Sequence, residues 1–404
     1  MKKRKPFLIS LLIIAVIGIY LAFTWRQFYW TRVLAWGNGG VEDYQIFPTR
    51  PMEAADEPWD FPNATVEEQT ALAQTLDNIP ATLEIEGHQT SDFSTFLTNT
   101  ETTAFLVIKE GELVYEQYFN GYERDSVFST FSVSKSFISA LIGLAIEDGF
   151  IGSENDSIAI YLPEFVGTEM EKITIHDLLT MTSGIRFEGT LMPWDDFART
   201  YYTPDLRQLA LTAESESPTG VQWEYNDYHP LLLGLILERA TGTEITAYLE
   251  SKLWANLGTE FDGSWSLDEF GFEKLASGLN ARPIDYAKFG LLFLNNGRFG
   301  NETLLSEEWV QRSTRYLPDD NPLLTDVPGS TMGLSEHPYR YKYFWWINPQ
   351  ENRADDFFAY GNFGQFIYIS PDTDSIVVRF GETAGDYTGW TDVFSTIAEI
   401  DTQS

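Results

Sequence analysis

The strand-forming segments of this chain lie far apart, and that separation limits the architectures open to it. "TTAFLVIKEGELVYEQYFNG" (102–121) reads as two alternating strands joined by the turn "KEGE", and "FFAYGNFGQFIYISPDTDSIVVRFGE" (357–382) reads as another pair around "PDTDS". Between them the apolar residues recur at helical spacing, through "ITIHDLLTMTSGI", "PLLLGLILERATG" and "DYAKFGLLFLNNG". A lone hairpin buries too little to stand by itself, so the two are expected to join in one antiparallel sheet flanked by helices. The intervening helices then form an inserted helical subdomain, and the class is α+β. "VEEQTALAQTLDNI" (66–79) and "GWTDVFSTIAEI" (389–400) add helices before and after the strands, and no internal repeat is visible.

The N-terminus bears on location. "MKKRK" precedes "PFLISLLIIAVIGIYLAFTW", an apolar run of about the 20 residues a bilayer requires, with only a weak small-x-small cleavage pattern. The expectation is a signal anchor over 1–30: a single-pass transmembrane helix in the cell membrane, with its start in the cytoplasm and the rest of the chain outside. A cleaved signal peptide is the alternative, and it too leaves the working domain extracytoplasmic. Residues 31–90, rich in aromatics, Pro, Gly and acids without a sustained period, read as a linker and N-terminal extension that partly packs on the domain at 91–404.

Lys and Arg number 26 against 60 Asp and Glu, a formal charge of −34, which repels phosphate backbones and argues against a nucleic acid partner. The absence of cysteine excludes disulfides, thiolate metal sites and a Cys nucleophile. His88, His176, His229 and His337 show no metal spacing, and no G-x-S-x-G, H-E-x-x-H or P-loop occurs, so no metal or cofactor is expected.

One pairing of nucleophile and base remains. In "FSTFSVSKSF" Ser132 and Lys135 stand three apart at the head of the apolar helix "ISALIGLAIEDG", and no other serine has a lysine three positions on. Residues at that spacing share a helix face. Ser132 would sit at the positive end of the helix dipole, near free backbone N–H groups. A lysine accepts the serine proton only when neutral, and lowering its pKa from about 10.4 to near 7 takes roughly 4 to 5 kcal/mol of burial or cationic neighbours. The apolar surroundings of Lys135 are of that kind. A serine cap followed by a lysine snorkelling to water fits the same residues, and S-x-x-K alone does not choose.

With "SVSK", the ordered blocks "AFLVIKEGELVYEQYF", "ITIHDLLTMTSGIRFEG", "WEYNDYHPLLLGLILERATG", "FWW" and "GNFGQFIYISP" make residues 95–400 resemble the serine beta-lactamase and penicillin-binding-protein superfamily. The resemblance is greatest to class C beta-lactamase-like hydrolases, including 6-aminohexanoate-oligomer hydrolases and related esterases. It implies that Tyr225 of "EYNDYHPLLLG" faces Ser132 and Lys135 and shares their proton. Asp227 takes a place usually held by asparagine, and a carboxylate there would raise the lysine pKa and move more of the proton transfer to Tyr225. Read locally, Tyr225 is a half-buried aromatic and Asp227 a helix cap. The third element, normally Lys or His, any residue, then Gly, matches "NFG", where Asn362 offers no cation for a substrate carboxylate. The backbone N–H groups of Ser132 and Gln365 would form an oxyanion hole, with Gly361 and Gly364 letting the strand approach closely.

In "MTSGIRFEG" Ser183 reads as a turn residue; Trp345 and Trp346 read as core, one of them a candidate wall of an acyl pocket. The expected protein is a membrane-anchored, extracytoplasmic serine hydrolase that cleaves a small-molecule ester or amide through an acyl-enzyme. The alternatives are a beta-lactamase or D-alanyl-D-alanine peptidase, and a penicillin-binding sensor module that acylates without turning over.

Overall fold

A computed structural model describes residues 28–401, apart from 38, 80–91, 191, 319, 325–326, 329–333, 335–337, 349–354 and 384–387. Eight strands form one antiparallel sheet in the spatial order Glu112–Tyr118, Thr102–Lys109, Ser375–Gly381, Gln365–Ser370, Phe357–Gly361, Trp345–Ile347, Pro338–Lys342 and Val327–Pro328. The early and late strands meet as the sequence predicts, with Lys109 opposite Ser375 and Phe105 opposite Arg379. The last stretch makes three strands where two were expected, because residues 362–364 turn the chain, with Phe363 at φ 66° and Gly364 at φ 76°.

Alternation along these strands decides which helix covers which face. Ile367 and Ile376 meet the helix Pro283–Leu294 so closely at Gly290 that a Cβ there would lie 3.1 and 3.0 Å from their methyl carbons. Phe366 and Tyr368 face the other way, with ring centroids 5.1 and 5.6 Å from Phe394 of the closing helix Trp390–Ala398. That helix's C-terminal carbonyls have no intrahelical donors, and the buried Lys109 amine supplies them at 2.7 Å from Ala398 O and 2.6 Å from Ile400 O. The inserted subdomain is built around two buried helices, Ser134–Glu147 and Tyr228–Thr241, packed on each other.

A second antiparallel sheet was not foreseen: Thr49–Met52, Gly263–Ser266, Leu279–Ala281 and Phe128–Ser129, in that order. Its strands are too short to show a period in the sequence. Residues 31–90 accordingly hold more structure than a linker. Helix Tyr29–Trp36 packs on helix Asp196–Tyr202, Thr49–Met52 forms the sheet edge, and Thr65 and Glu68 close a capping box on Val66–Leu76. Among the described residues no helix is long and apolar enough to cross a membrane. Residues 1–27 of the expected anchor lie outside the described residues.

Trp309 lies flat over Gly143 in the middle of the helix Ser134–Glu147, where an added Cβ would be 2.6 Å from the indole. Gly143→Ala is therefore expected to lower the unfolding free energy by about 1–3 kcal/mol in urea titration. An unchanged midpoint would show that the helix and the indole part freely.

Candidate active site

The short strand Phe128–Ser129 delivers the chain to Ser132 through a constrained turn. Phe131 holds φ 48°, a left-handed conformation unusual for a residue with a side chain, and Ser132 occupies a single 3₁₀ turn, Phe131–Val133, leading into the helix. The second sheet fixes this turn. The Thr130 N–H donates to Leu279 O at 3.0 Å, and Thr130 Oγ1 lies 2.8 Å from Ser134 Oγ, which accepts the Leu279 N–H at 3.1 Å. Ser136 Oγ donates to Phe344 O at 2.8 Å, tying the helix to the large sheet. Ser132 is left half-exposed while Lys135 is buried to 1%.

The Lys135 amine donates to Ser132 Oγ at 2.8 Å and to Ala276 O at 3.0 Å, and Asp227 Oδ1 lies 2.9 Å away as its counter-ion. Burial alone would push the lysine pKa down, but the Asp227 carboxylate and then Tyr225 outweigh it, so the pKa stands above its usual value. The expected neutral amine is thus not the resting form, for the reason that the departure at position 227 suggested. Asp227 precedes the helix Tyr228–Thr241 but makes no capping hydrogen bond, its side chain turning to Lys135 instead.

Tyr225 lies beside both residues. Its ring centroid is 4.9 Å from the lysine nitrogen, and Ser132 and Lys135 both act on its phenol to lower its pKa. Burial first, then Asp227, raises its pKa against the pull of the ammonium, so the phenol is also protonated at neutral pH. Behind it Trp346 stacks at 6.4 Å and 19°, with Trp223 and Tyr341 alongside. Trp345 points to the opposite face, against Phe293 at 4.5 Å, so strand alternation gives the site one tryptophan and the core the other.

The third element falls three residues earlier than the sequence suggests. Gly361 is the residue that touches the turn, since a Cβ on it would lie 2.2 Å from Thr130 O and 3.0 Å from the Ser132 nitrogen. Gln365 pairs with Gly361 across the hairpin, and its side-chain amide donates to Asn362 O at 3.1 Å and Gly381 O at 2.7 Å. Gly364 serves the turn, its carbonyl accepting from Arg379 at 2.6 Å, while exposed Asn362 follows Gly361 at the strand end. Strand Trp345–Ile347 pairs only as far as Phe358, so the edge from Ala359 onward faces the site without a neighbouring strand.

Sequence reasoning missed two contributors. Ala276 acts through its carbonyl, which no side-chain pattern signals. Arg379, buried in a strand that otherwise reads as hydrophobic, also donates to Thr100 O at 2.8 Å and lies 3.9 Å over the Trp390 ring; a lone arginine in such a run was the available signal. Ser183 Oγ lies 2.6 Å from His229 Nε2, but the other ring nitrogen meets the Met181 sulfur at 2.9 Å and burial holds the histidine pKa down at about 3. With no carboxylate behind it, this pair clasps the "MTSG" loop to the helix start.

Two outcomes follow from this geometry. A reaction needing one proton to leave the Lys135–Tyr225 pair has a rate that climbs as pH rises, because both pKa values are raised. Asp227→Asn removes the charge that retains the proton, so the ascending limb of the kcat/KM profile is expected to move to lower pH; a limb that stays put would dissociate Asp227 from the proton transfer. Gly361→Ala forces the strand off Thr130, and kcat/KM is expected to fall roughly 100-fold or more, the scale of losing an oxyanion donor. Near wild-type activity in that variant would remove Gly361 from the site.

The chain has relatives among known proteins. The chain is 25% identical over 300 residues to the 6-aminohexanoate-dimer hydrolase of Paenarthrobacter ureafaciens, covering 71% of this chain and 74% of that one. A Bacillus anthracis structure assigned to the same hydrolase type superposes with a TM-score of 0.74 at 24% identity, covering 90% of this chain and 92% of that chain. The hydrolase EstCE1, described as having promiscuous acyltransferase activity, shares the fold with a TM-score of 0.61 at 16% identity, covering 82% and 98%. The family description "Beta-lactamase" matches residues 92–397, which hold the serine, the buried lysine, the tyrosine and the glycine strand alike, and the chain belongs to that family of serine hydrolases.

Proposed function

We propose that this protein hydrolyses a neutral ester or small amide through an acyl-enzyme on Ser132. The observation that carries the reading is the 2.8 Å contact between Ser132 Oγ and a buried lysine that is backed by Asp227 and flanked by Tyr225. Once the Lys135–Tyr225 pair has lost a proton, it accepts the Ser132 hydroxyl proton as Oγ bonds to the substrate carbonyl carbon. The carbonyl oxygen becomes an oxyanion facing the backbone N–H of Ser132 and the strand edge at Gly361–Asn362. Collapse of the tetrahedral intermediate expels the alkoxide or amine, which takes the proton back. Water then gives a proton to the same pair as it adds to the acyl carbon, and the Oγ–C bond breaks with the pair returning that proton to Ser132 Oγ as the acid leaves.

Asn362 argues for a substrate without a carboxylate beside the scissile bond, since it offers no charge to meet one. The name of the Paenarthrobacter relative, a hydrolase of an amide dimer, supports including amides. The apolar run at 6–25 supports placing the domain outside the cytoplasm on a membrane anchor.

Incubation with a fluorophosphonate, a penicillin and p-nitrophenyl esters, followed by intact mass and product release, tests the reaction. Multiple turnovers on the esters, one fluorophosphonate adduct and no lasting penicillin adduct are expected, all abolished by Ser132→Ala. A persistent penicillin adduct would favour a peptidase or sensor instead. Labelling that survives Ser132→Ala would refute the acyl-enzyme.

A further inference from the structure

Two segments far apart in the sequence bring apolar side chains to one surface. In helix Tyr29–Trp36, Trp30 and Leu34 are one turn apart on the same side, 54% and 82% exposed, with Phe28 exposed just before them. Beside them runs the exposed tripeptide Met192–Pro193–Trp194, with Trp194 63% exposed. The Tyr29 hydroxyl donates to Pro193 O and joins the two segments, while the Tyr202 hydroxyl, donating to Gly37 O at 2.6 Å, ties down the helix's other end.

Three charged side chains within or next to these segments are turned inward. Arg32, the one charged residue of the helix, is buried against Glu269 at 2.9 Å. Asp195 is buried and accepts the N–H groups of Thr190, Met192 and Ala198, and Asp196, also buried, takes the Glu188 N–H and the Tyr228 hydroxyl. A chain with 60 acidic residues thus turns the charges of these two segments inward, while the exposed Arg186, Glu188 and Arg199 border the face beside Trp194. Exposed apolar side chains gathered on two segments joined in this way mark an interaction surface.

We propose that the face made by Phe28, Trp30, Leu34, Met192 and Trp194 rests in the headgroup–acyl boundary of a lipid bilayer. The apolar run "PFLISLLIIAVIGIYLAFTW" ends at residue 25, three residues before Phe28, so a bilayer holding that run brings its surface to this face. Tryptophan and tyrosine favour that boundary, where an apolar ring and a polar tip are both accommodated. The strong negative charge of the rest of the domain opposes any other face approaching an anionic leaflet. The inference rests on the membrane anchor proposed above and adds the orientation: the 192–202 segment, bonded through Asp196 to Tyr228 beside the site, lies against the membrane.

The chain has no cysteine, so single cysteines at Leu34, Met192 and Trp194, and at Ile160 as an equally exposed control, can each carry an environment-sensitive fluorophore. The full chain is reconstituted in phosphatidylcholine vesicles containing a headgroup spin-labelled lipid. Co-sedimentation with the vesicles tests the anchor, and quenching tests the orientation. Labels at 34, 192 and 194 are expected to shift to the blue and to be quenched several-fold more than the label at 160. A chain that sediments with vesicles while all four labels quench alike overturns the docking face and leaves the anchor standing; a chain that stays in the supernatant overturns both.

Discussion

The Lys135 ammonium is the constraint around which the rest of the molecule is arranged. A buried ammonium is expensive unless it is hydrogen-bonded and paired with an opposite charge, and here its two acceptors and its counter-ion come from three separate pieces of chain. Ser132 belongs to the turn after a short strand, Asp227 to the start of a helix, and Ala276 to the approach of the second sheet. None of these pieces can dock without the others, since leaving any one away strands a charge in the interior. The same enclosure that locks the pieces together also holds the proton on the lysine. Stability of the centre and readiness to accept the serine proton are therefore opposed, and Asp227 is where the opposition is set.

The large sheet serves the site through one close backbone contact. Gly361 lies against Thr130 and Ser132, and only a residue without Cβ permits it. The turn that follows is held from behind by Arg379, whose partners among the described residues are the Gly364, Thr100 and Thr383 carbonyls, the Thr102 hydroxyl and the Trp390 ring. Burial lowers the guanidinium pKa to about 9, still well above neutrality, so the charge persists. It draws the turn beside Ser132 to the strands and helix on the sheet's far side.

How much of this could be read from the sequence depended on whether the information was local. The hairpins and long helices were legible because alternation and helical spacing are set within a few residues. Ser132 and Lys135 were legible because their proximity follows from one helical turn, and the sign of the Asp227 effect because charge does not depend on fine geometry. The second sheet was not, since strands of two to four residues have no period to detect. The third element was placed three residues late because "GNFG" offers two glycines and only the pairing of Gly361 with Gln365 decides which one ends the strand. Whether burial or Asp227 wins at Lys135 required the 2.9 Å distance.

The pairing of Lys109 with Ser375 has a consequence in time. Strands made early in synthesis wait for partners made almost last, and the glycine edge beside Ser132 belongs to that late group. Until the final strands are present the serine has its lysine but not the close contact of Gly361 with Thr130 and Ser132. Such long-range closure is slow relative to local helix formation. The surroundings of the Ser132 turn are therefore completed only when the early and late strands of the large sheet pair.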